Sequence, residues 1–375
     1  MNFLLLTGLT DAPLQDLGGL TPLQKAHTPN LDRLAQEGGC LLFEPPKWGG
    51  IETTLLAMLG VEEGLDEPSA AALEAAALGI ELRGDETLYC ARLVSAGGGA
   101  IVEVGDELVS DTEGALLCEA LSAEFAAEGL QFVSIQGPRC LMISRTPFGP
   151  LPGPGPSPFE VVGERWKALL PKGMRATLGK LLDRVGESLA EHEVNQLRSD
   201  LEEVPINALW VSEGGGVPRW MGTYRGPVGV EIWCVSSLVQ GIAVSLGLPC
   251  RQLGHGLRMD REIEGLVRKL EVRPLDIRLI ELPHLWESTY KGDLLEKIKR
   301  IEYLDRHLIG PLTEMGELAV LPLRHTDIRI GQVMRGPIPM VTTLPGDPLP
   351  SFDEATFSQL TLTPLNRALL LPAAR

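Results

Sequence analysis

The sequence predicts an α/β fold: a doubly wound, mostly parallel sheet with a smaller α/β domain inserted into it. Strand-like and helix-like segments alternate at both ends of the chain, as parallel strands joined by crossover helices do. A proline- and glycine-rich stretch interrupts the middle. The apolar runs on either side are short, as buried strands are.

Asn2–Leu6 reads as a buried first strand ending at the Thr7-Gly8 turn. No basic stretch or cleavage site accompanies it, so it reads as a strand and not as a secretion signal. Thr28 is placed as the N-cap and Pro29 as the first residue of a helix with Leu31, Leu34 and Ala35 on one face. Gly38-Gly39 ends that helix, Cys40–Phe43 reads as a second strand, and Thr53–Leu59 as a helix closed by Gly60. Ser69–Leu78 is an alanine-rich helix. Thr87–Val94, Ala100–Val104, Leu116–Ala127 and Gln131–Ile143 follow as strand, strand, helix and strand.

Residues 146–158, TPFGPLPGPGPSP, cannot be regular structure, because proline fixes φ and removes donors. They read as a semi-rigid linker. The expected boundaries are therefore 1–70 and 159–375 for a discontinuous main domain, 71–145 for the insertion and 146–158 for the linker. Beyond it, Met174–Glu191 is an amphipathic helix, and Asn207–Val211 and Val228–Val235 are apolar strands. Ser236–Leu246 is a helix closed by Gly247. Leu275–Leu282 is a strand, Leu294–Leu308 a charged amphipathic helix, and Glu317–Pro322 another strand.

The chain has 375 residues, 44% hydrophobic and 22% charged, with a formal net charge of −17. So acidic a chain is repelled by phosphate backbones and anionic lipid, so neither nucleic acid nor membrane is expected as a partner. No apolar run is long enough to span a bilayer, and the cytoplasm is the expected compartment. The six cysteines, at 40, 90, 118, 140, 234 and 250, include no CxxC pair and read as core residues or inert thiols.

Several segments carry a resemblance. Leu17-Gly18-Gly19, Thr21-Pro22-Leu23 and Thr28-Pro29-Asn30-Leu31-Asp32 open the pattern. It continues through Leu59-Gly60, His192 with Asn195 and Arg198, Asn207 with Trp210, and Val239-Gln240-Gly241-Ile242. Lys297 with Ile301-Glu302 and Asp305, then Pro337-Ile338-Pro339, complete it. In order and spacing these resemble the archaeal-type 2,3-bisphosphoglycerate-independent phosphoglycerate mutases. The resemblance implies an alkaline-phosphatase-like core made from both ends of the chain. It also implies two divalent metals (Mn, Zn or Mg) and a serine that relays a phosphoryl group.

At the positions that would carry this chemistry the residues differ. The family's first-strand Asp-Gly is Thr7-Gly8, and its Gly-Ser-Asp nucleophile loop is Gly50-Ile51-Glu52. Its Asp-x-x-x-His metal motif falls on Trp286 and Tyr290. Its Asp-His pair falls on Leu323-Arg324, and its last metal histidine on Val333. A one-residue shift would bring His325 to the histidine position and leave the other losses unchanged. A phosphate-gripping arginine of the insertion is Tyr89, while Arg139 matches another. Thr, Ile, Trp, Tyr, Leu and Val cannot hold two divalent cations.

The expectation is a catalytically inactive homologue that acts by binding, as a scaffold, a regulatory partner or a ligand sensor, with no cofactor. A protein partner or a small phosphorylated ligand is expected, the latter lined by Thr7, Glu52, Arg139 and Arg324. The alternative is a metal-dependent mutase or phosphotransferase with a rebuilt site. Its ligands would come from Glu281, His284, Glu287 and His325, with Thr53 or Thr54 as nucleophile. Gly254-His255-Gly256 and Ser212–Gly216 read as flexible turns, and Glu302 and Asp305 as structural.

Overall fold

The computed structural model describes residues 1–44, 50–61, 69–81, 83, 86–146, 148, 161–170, 175–215, 226, 228–253, 259–271 and 277–365. In chain order, β1 (Asn2–Leu5), α1 (Pro22–Lys25), α2 (Pro29–Glu37), β2 (Gly39–Phe43) and α3 (Ile51–Met58) come first. The middle contains α4 (Ala70–Ala77), β3 (Thr87–Gly97), β4 (Ala100–Glu103), α5 (Asp111–Phe125), β5 (Leu130–Gln136), β6 (Arg139–Ser144), α6 (Arg175–Glu191), α7 (Glu193–Asp200) and β7 (Ala208–Gly215). Then follow β8 (Val230–Cys234), α8 (Ser237–Leu246), β9 (Cys250–Gln252), α9 (Met259–Glu271), β10 (Ile277–Glu281), α10 (His284–Tyr290) and α11 (Leu294–Leu304). The chain ends through α12 (Gly310–Glu314), β11 (Leu318–Leu321), β12 (His325–Asp327), β13 (Gln332–Met334), β14 (Ile338–Thr342) and β15 (Leu362–Thr363). Among the described residues no helix is long and apolar enough to cross a membrane.

The chain divides into two compact units, Met1–Glu67 with Trp220–Arg375, and Pro68–Arg219. The first holds an eight-stranded sheet in the order β15-β2-β14-β11-β1-β10-β8-β9. The run β11-β1-β10-β8-β9 is parallel, and β14 alone opposes its neighbours. This is the mostly parallel α/β sheet expected. β10, β11 and β14 are buried at every position, as strands covered on both faces must be. Leu4, Leu6, Ile280, Leu282, Val320 and Val341 pack on one side with Leu31 and Leu34 of α2 and Ile301 and Leu304 of α11.

A polar network locks the loops of this unit. Lys297 of α11 is fully buried, and its ammonium donates to the Asp11 carboxylate, to Thr289 Oγ1 at 2.7 Å and to Thr326 Oγ1 at 3.1 Å. Asp11 also accepts from the backbone N–H of Ala12 at 2.8 Å and Ile328 at 3.1 Å. Glu354 accepts from the Asp11 N–H at 3.0 Å and the Thr21 hydroxyl at 2.7 Å. Burial pushes its carboxyl up to about 7, with those bonds opposing the rise.

Thr28 does stand at the N-cap of α2, but its side chain makes no cap bond. Asp305 does the capping: its Oδ1 accepts from Leu31 N at 2.8 Å and its Oδ2 from Asn30 N at 3.1 Å. The helix predicted as Leu294–Leu308 ends at Leu304 and widens into a π-turn over Asp305–Ile309.

In the second unit, β3 pairs antiparallel with β6 along one edge, with β7 along the other and with β4 at its end, while β5 pairs with β6. Helices α5 and α6 share a core with Leu93, Met142 and Leu209, and α4 packs its alanines against Leu88, Leu141 and Ile143. Gln131–Ile143 is thus a hairpin of two strands and not one strand, turning at Gly137, whose φ is +52°.

The expected boundary at 159 is wrong, because α6, α7 and β7 belong to the inserted unit. Strand β7 completes its sheet through the register Val94↔Ala208 to Leu88↔Gly215. The Asn207 amide clasps the backbone of Ala96 at 2.8 and 2.9 Å, and the Asn195 amide ties Leu189 to Ile206. Most of the expected linker, 149–158, lies outside the described residues, as do 254–258 and Gly216.

Two outcomes follow. Lys297→Met leaves the Asp11 charge buried without its cation and should lower unfolding free energy by about 3–5 kcal/mol. Adding Asp11→Asn should restore part of the loss; both are read from urea denaturation. Because the folded pKa of Glu354 lies above its unfolded value of about 4.3, the folded state binds the proton more tightly. That stability is complete below about pH 4.3 and lost as pH rises through about 7. Glu354→Gln should remove a fall in unfolding free energy of about 3–4 kcal/mol between these limits, read from urea denaturation across pH.

Candidate functional site

The parallel strands end in a row. Leu321 pairs with Leu5, Leu5 with Glu281, and Glu281 with Cys234, so β11, β1, β10 and β8 finish side by side. The loops leaving this edge carry Leu323-Arg324, Thr7-Gly8, His284–Trp286 and Val235-Ser236. The carboxyl edge of an open α/β sheet is where such folds place ligands.

Gly8 fixes one wall. Its φ is +93°, and a Cβ there would lie 2.9 Å from the Leu285 carbonyl carbon, so the turn fits against the start of α10 only without a side chain. Thr7 beside it is buried, and its hydroxyl has no partner among the described residues. Glu281 is 1% exposed. One of its oxygens accepts from Val235 N at 3.0 Å and Ser236 N at 3.1 Å, and the other has no partner among the described residues. Burial raises its carboxyl above the ordinary range, partly offset by these two N–H donors.

Arg324 joins this edge to α3. Its Nε donates to the Gly50 carbonyl at 3.1 Å and its Nη2 to Thr53 Oγ1 at 2.9 Å. The Thr53 hydroxyl in turn donates to Gly50 O at 2.9 Å, and the Gly50 N–H donates to Glu52 Oε1 at 2.6 Å. Arg324 is 3% exposed. Burial pulls its guanidinium below its ordinary value, Glu52 opposes that shift and Arg335 adds to it. Ile51 is the first residue of α3, half-buried, and offers no nucleophilic atom at the place where the guanidinium arrives.

Among the other positions singled out, Leu323 is fully buried, and Trp286 and Tyr290 form a tilted pair on α10 with ring centroids 6.5 Å apart. Val333 is half-exposed on β13, opposite Thr326. The structure does not assemble the alternative cluster of Glu281, His284, Glu287 and His325. One Glu281 oxygen is taken by backbone donors, Glu287 pairs with Arg300 at 3.1 Å, and His325 Nε2 meets the Pro337 carbonyl. Burial lowers the His325 imidazole below its usual range. Thr54 is fully buried, with its hydroxyl unpartnered among the described residues.

In the inserted unit Arg139 is held by the buried Glu74 carboxylate. Tyr89 is a core residue whose hydroxyl accepts from Phe148 N at 2.9 Å, and burial raises its phenol.

A family model described as 2,3-bisphosphoglycerate-independent phosphoglycerate mutase matches residues 35–195. A probable mutase of that name from Geobacter sulfurreducens is 30% identical over 357 residues, 89% of this chain and 88% of that one. The chain belongs to this family. A second mutase, from Methanosarcina mazei, is 28% identical over 354 residues, covering 88% of this chain and 87% of its own. Two solved structures share the fold. The PH0037 protein of Pyrococcus horikoshii matches with a TM-score of 0.67 and 18% identity, over 91% of this chain and 86% of its own. The cofactor-independent phosphoglycerate mutase of Thermoplasma acidophilum matches with a TM-score of 0.52 and 21% identity, over 98% and 97%.

The two divalent ions that membership of the mutase family implies do not fit the residues present. Among the described residues no three His, Cys, Asp or Glu side chains converge as an ion would need. The carboxylates Glu281 and Glu52 each accept from backbone N–H groups. Sequence reasoning missed the Arg324–Gly50–Thr53 tie, because it depends on a backbone carbonyl, which no side-chain motif signals. It also missed Lys297–Asp11, although Lys297 lies in a resembling segment.

Arg324→Met removes both ties to α3 and should lower unfolding free energy by about 1–3 kcal/mol. The measurement is the urea midpoint at unchanged slope; an unaltered midpoint would mean that the ties carry no stability.

Proposed function

We propose that this chain is a catalytically inactive member of the phosphoglycerate mutase family that acts by binding. The observation that carries the reading is the guanidinium of Arg324 at the start of α3, beside Ile51. Phosphoryl relay in the family needs a hydroxyl at the position of Ile51 and a cation-binding imidazole at that of Arg324. A buried guanidinium there repels a divalent ion, and the isoleucine cannot accept a phosphoryl group. Thr7, Leu323 and Val333 supply no charge to hold such an ion.

The ligand of this reading is a protein partner or a small phosphorylated molecule, and no cofactor is needed for it. The chain's charge of −17 disfavours nucleic acid and anionic membrane and favours a partner with a basic face. The cytoplasm is its proposed setting. Glu52 and Arg324 in the main unit and Arg139 in the inserted unit are the residues we assign to ligand contact.

A second reading is a working 2,3-bisphosphoglycerate-independent mutase with rebuilt ligands. The relatives' names favour it, as does the unpartnered oxygen of Glu281.

Elemental analysis of the purified chain after loading with Mn²⁺ or Zn²⁺ separates the two, alongside a mutase assay with 3-phosphoglycerate. Near-zero stoichiometry and no turnover are expected. One or two tightly held ions with turnover would overturn the proposal and establish the second reading.

A further inference from the structure

The six cysteines are not all core residues. Cys40, Cys118 and Cys140 are buried, but Cys250 is exposed at the first residue of the edge strand β9. In the parallel register of β8 and β9, Ile232 faces Cys250 and Cys234 faces Gln252. Cys234 and Cys250 are therefore diagonal neighbours on one face. Their sulfurs lie 3.7 Å apart.

We propose that Cys250 and Cys234 form a dithiol oxidation site that takes a hydroperoxide and closes to a disulfide. The two thiols differ in the way this chemistry needs. Cys250 faces solvent, where its thiolate is hydrated and open to attack a peroxide, and the adjacent Cys234 thiol can donate to that thiolate and lower its pKa. Cys234 is fully buried, and its partner and its burial keep its thiol protonated. Cys250 is thus the attacking sulfur and Cys234 the resolving one.

The Cys250 thiolate attacks one oxygen of the peroxide, the O–O bond breaks, and a sulfenic acid forms while hydroxide or alkoxide leaves. The Cys234 sulfur then attacks the sulfenic sulfur and gives up its proton, and water departs. Two thiols lose two electrons and the peroxide gains them. An S–S bond is about 2.0 Å long, so closure needs less than about 2 Å of approach. Cys250 begins a three-residue strand at the rim of the sheet, where the backbone yields most easily. Cys234 directly precedes Val235 and Ser236, whose N–H groups hold Glu281, so the bond would pin the turn at the carboxyl edge. The proposal is independent of whether the chain catalyses phosphoryl transfer.

The test treats the whole protein with hydrogen peroxide, then measures intact mass, free thiols and a non-reducing peptide map. The expected result is a mass loss of about 2 Da, with two of the six thiols gone and one linked peptide pair, Cys234–Cys250, reversible by dithiothreitol. Cys250→Ser should abolish the loss. Cys234→Ser should instead gain about 16 Da at Cys250 as a sulfenic acid that dimedone traps. Stepwise over-oxidation of Cys250 in the unaltered protein while Cys234 stays reduced would overturn the proposal. So would persistence of the 2 Da loss in Cys250→Ser.

Discussion

A lysine ammonium with no solvent must have its charge met at once by the protein. The buried contact between Lys297 and Asp11 meets it, and much of the first unit is arranged around that requirement. Asp11 lies on the loop after β1, Lys297 in α11, Thr289 in α10, and Thr326 and Ile328 in and after β12. One ion pair therefore fixes four segments distant in sequence around the carboxyl edge of the sheet. Glu354 extends the tie to Thr21, which also heads the capping box of α1. The loops that frame the candidate site are held by this network, and it needs no metal ion to do so.

Other residues of the resembling segments give the same kind of internal support. Lys297 and Asp305 bind backbone and side-chain partners inside the protein, and Asn195 and Asn207 do the same in the inserted unit. Losing any of them strands buried polar groups. In the proposed reading, Thr7, Leu323 and Val333 stand at positions of the family's ion ligands and Ile51 at that of its nucleophile. Where no ion is held, small or apolar side chains are physically preferable to unpaired carboxylates, which would repel one another at the end of the sheet. Arg324 fits this economy of charge, because a single guanidinium crosses from the β11–β12 connection to α3 and is answered by Glu52 and two oxygen acceptors.

The parts of the fold legible in the sequence were those set by local pattern. β1, β2, α2, α6 and α8 lie within a residue or two of their expected ranges, because apolar periodicity and glycine or proline boundaries are written in consecutive residues. The boundary of the insertion was not legible. The linker's proline run looked like a border, yet the chain returns to the same sheet afterwards through β7, and strand pairing over more than a hundred residues leaves no local trace. The capping of α2 by Asp305 was hidden for the same reason, since 275 residues separate donor and acceptor. At the site, the residue at each motif position could be read directly, but the contacts of Arg324 could not, because the Gly50 carbonyl that receives it belongs to every residue type.

The two arginines expected to meet a ligand share one property. In the inserted unit Arg139 rests on Glu74, whose carboxylate is almost fully buried; in the main unit Arg324 is bound to Gly50 and Thr53, with Glu52 near. A phosphoryl oxygen reaching either guanidinium would meet a group already held in place by an internal acceptor. Under the proposed binding role, a ligand that displaced such an acceptor would bind more weakly than at an unengaged cation and would oblige that acceptor to move. For Arg324 that acceptor is the first turn of α3. On the proposed reading, such a displacement would couple ligand arrival to a local rearrangement. This is the behaviour a sensing or regulatory role requires, and one that a mutase, whose cations must hold the phosphoryl group throughout transfer, would not benefit from.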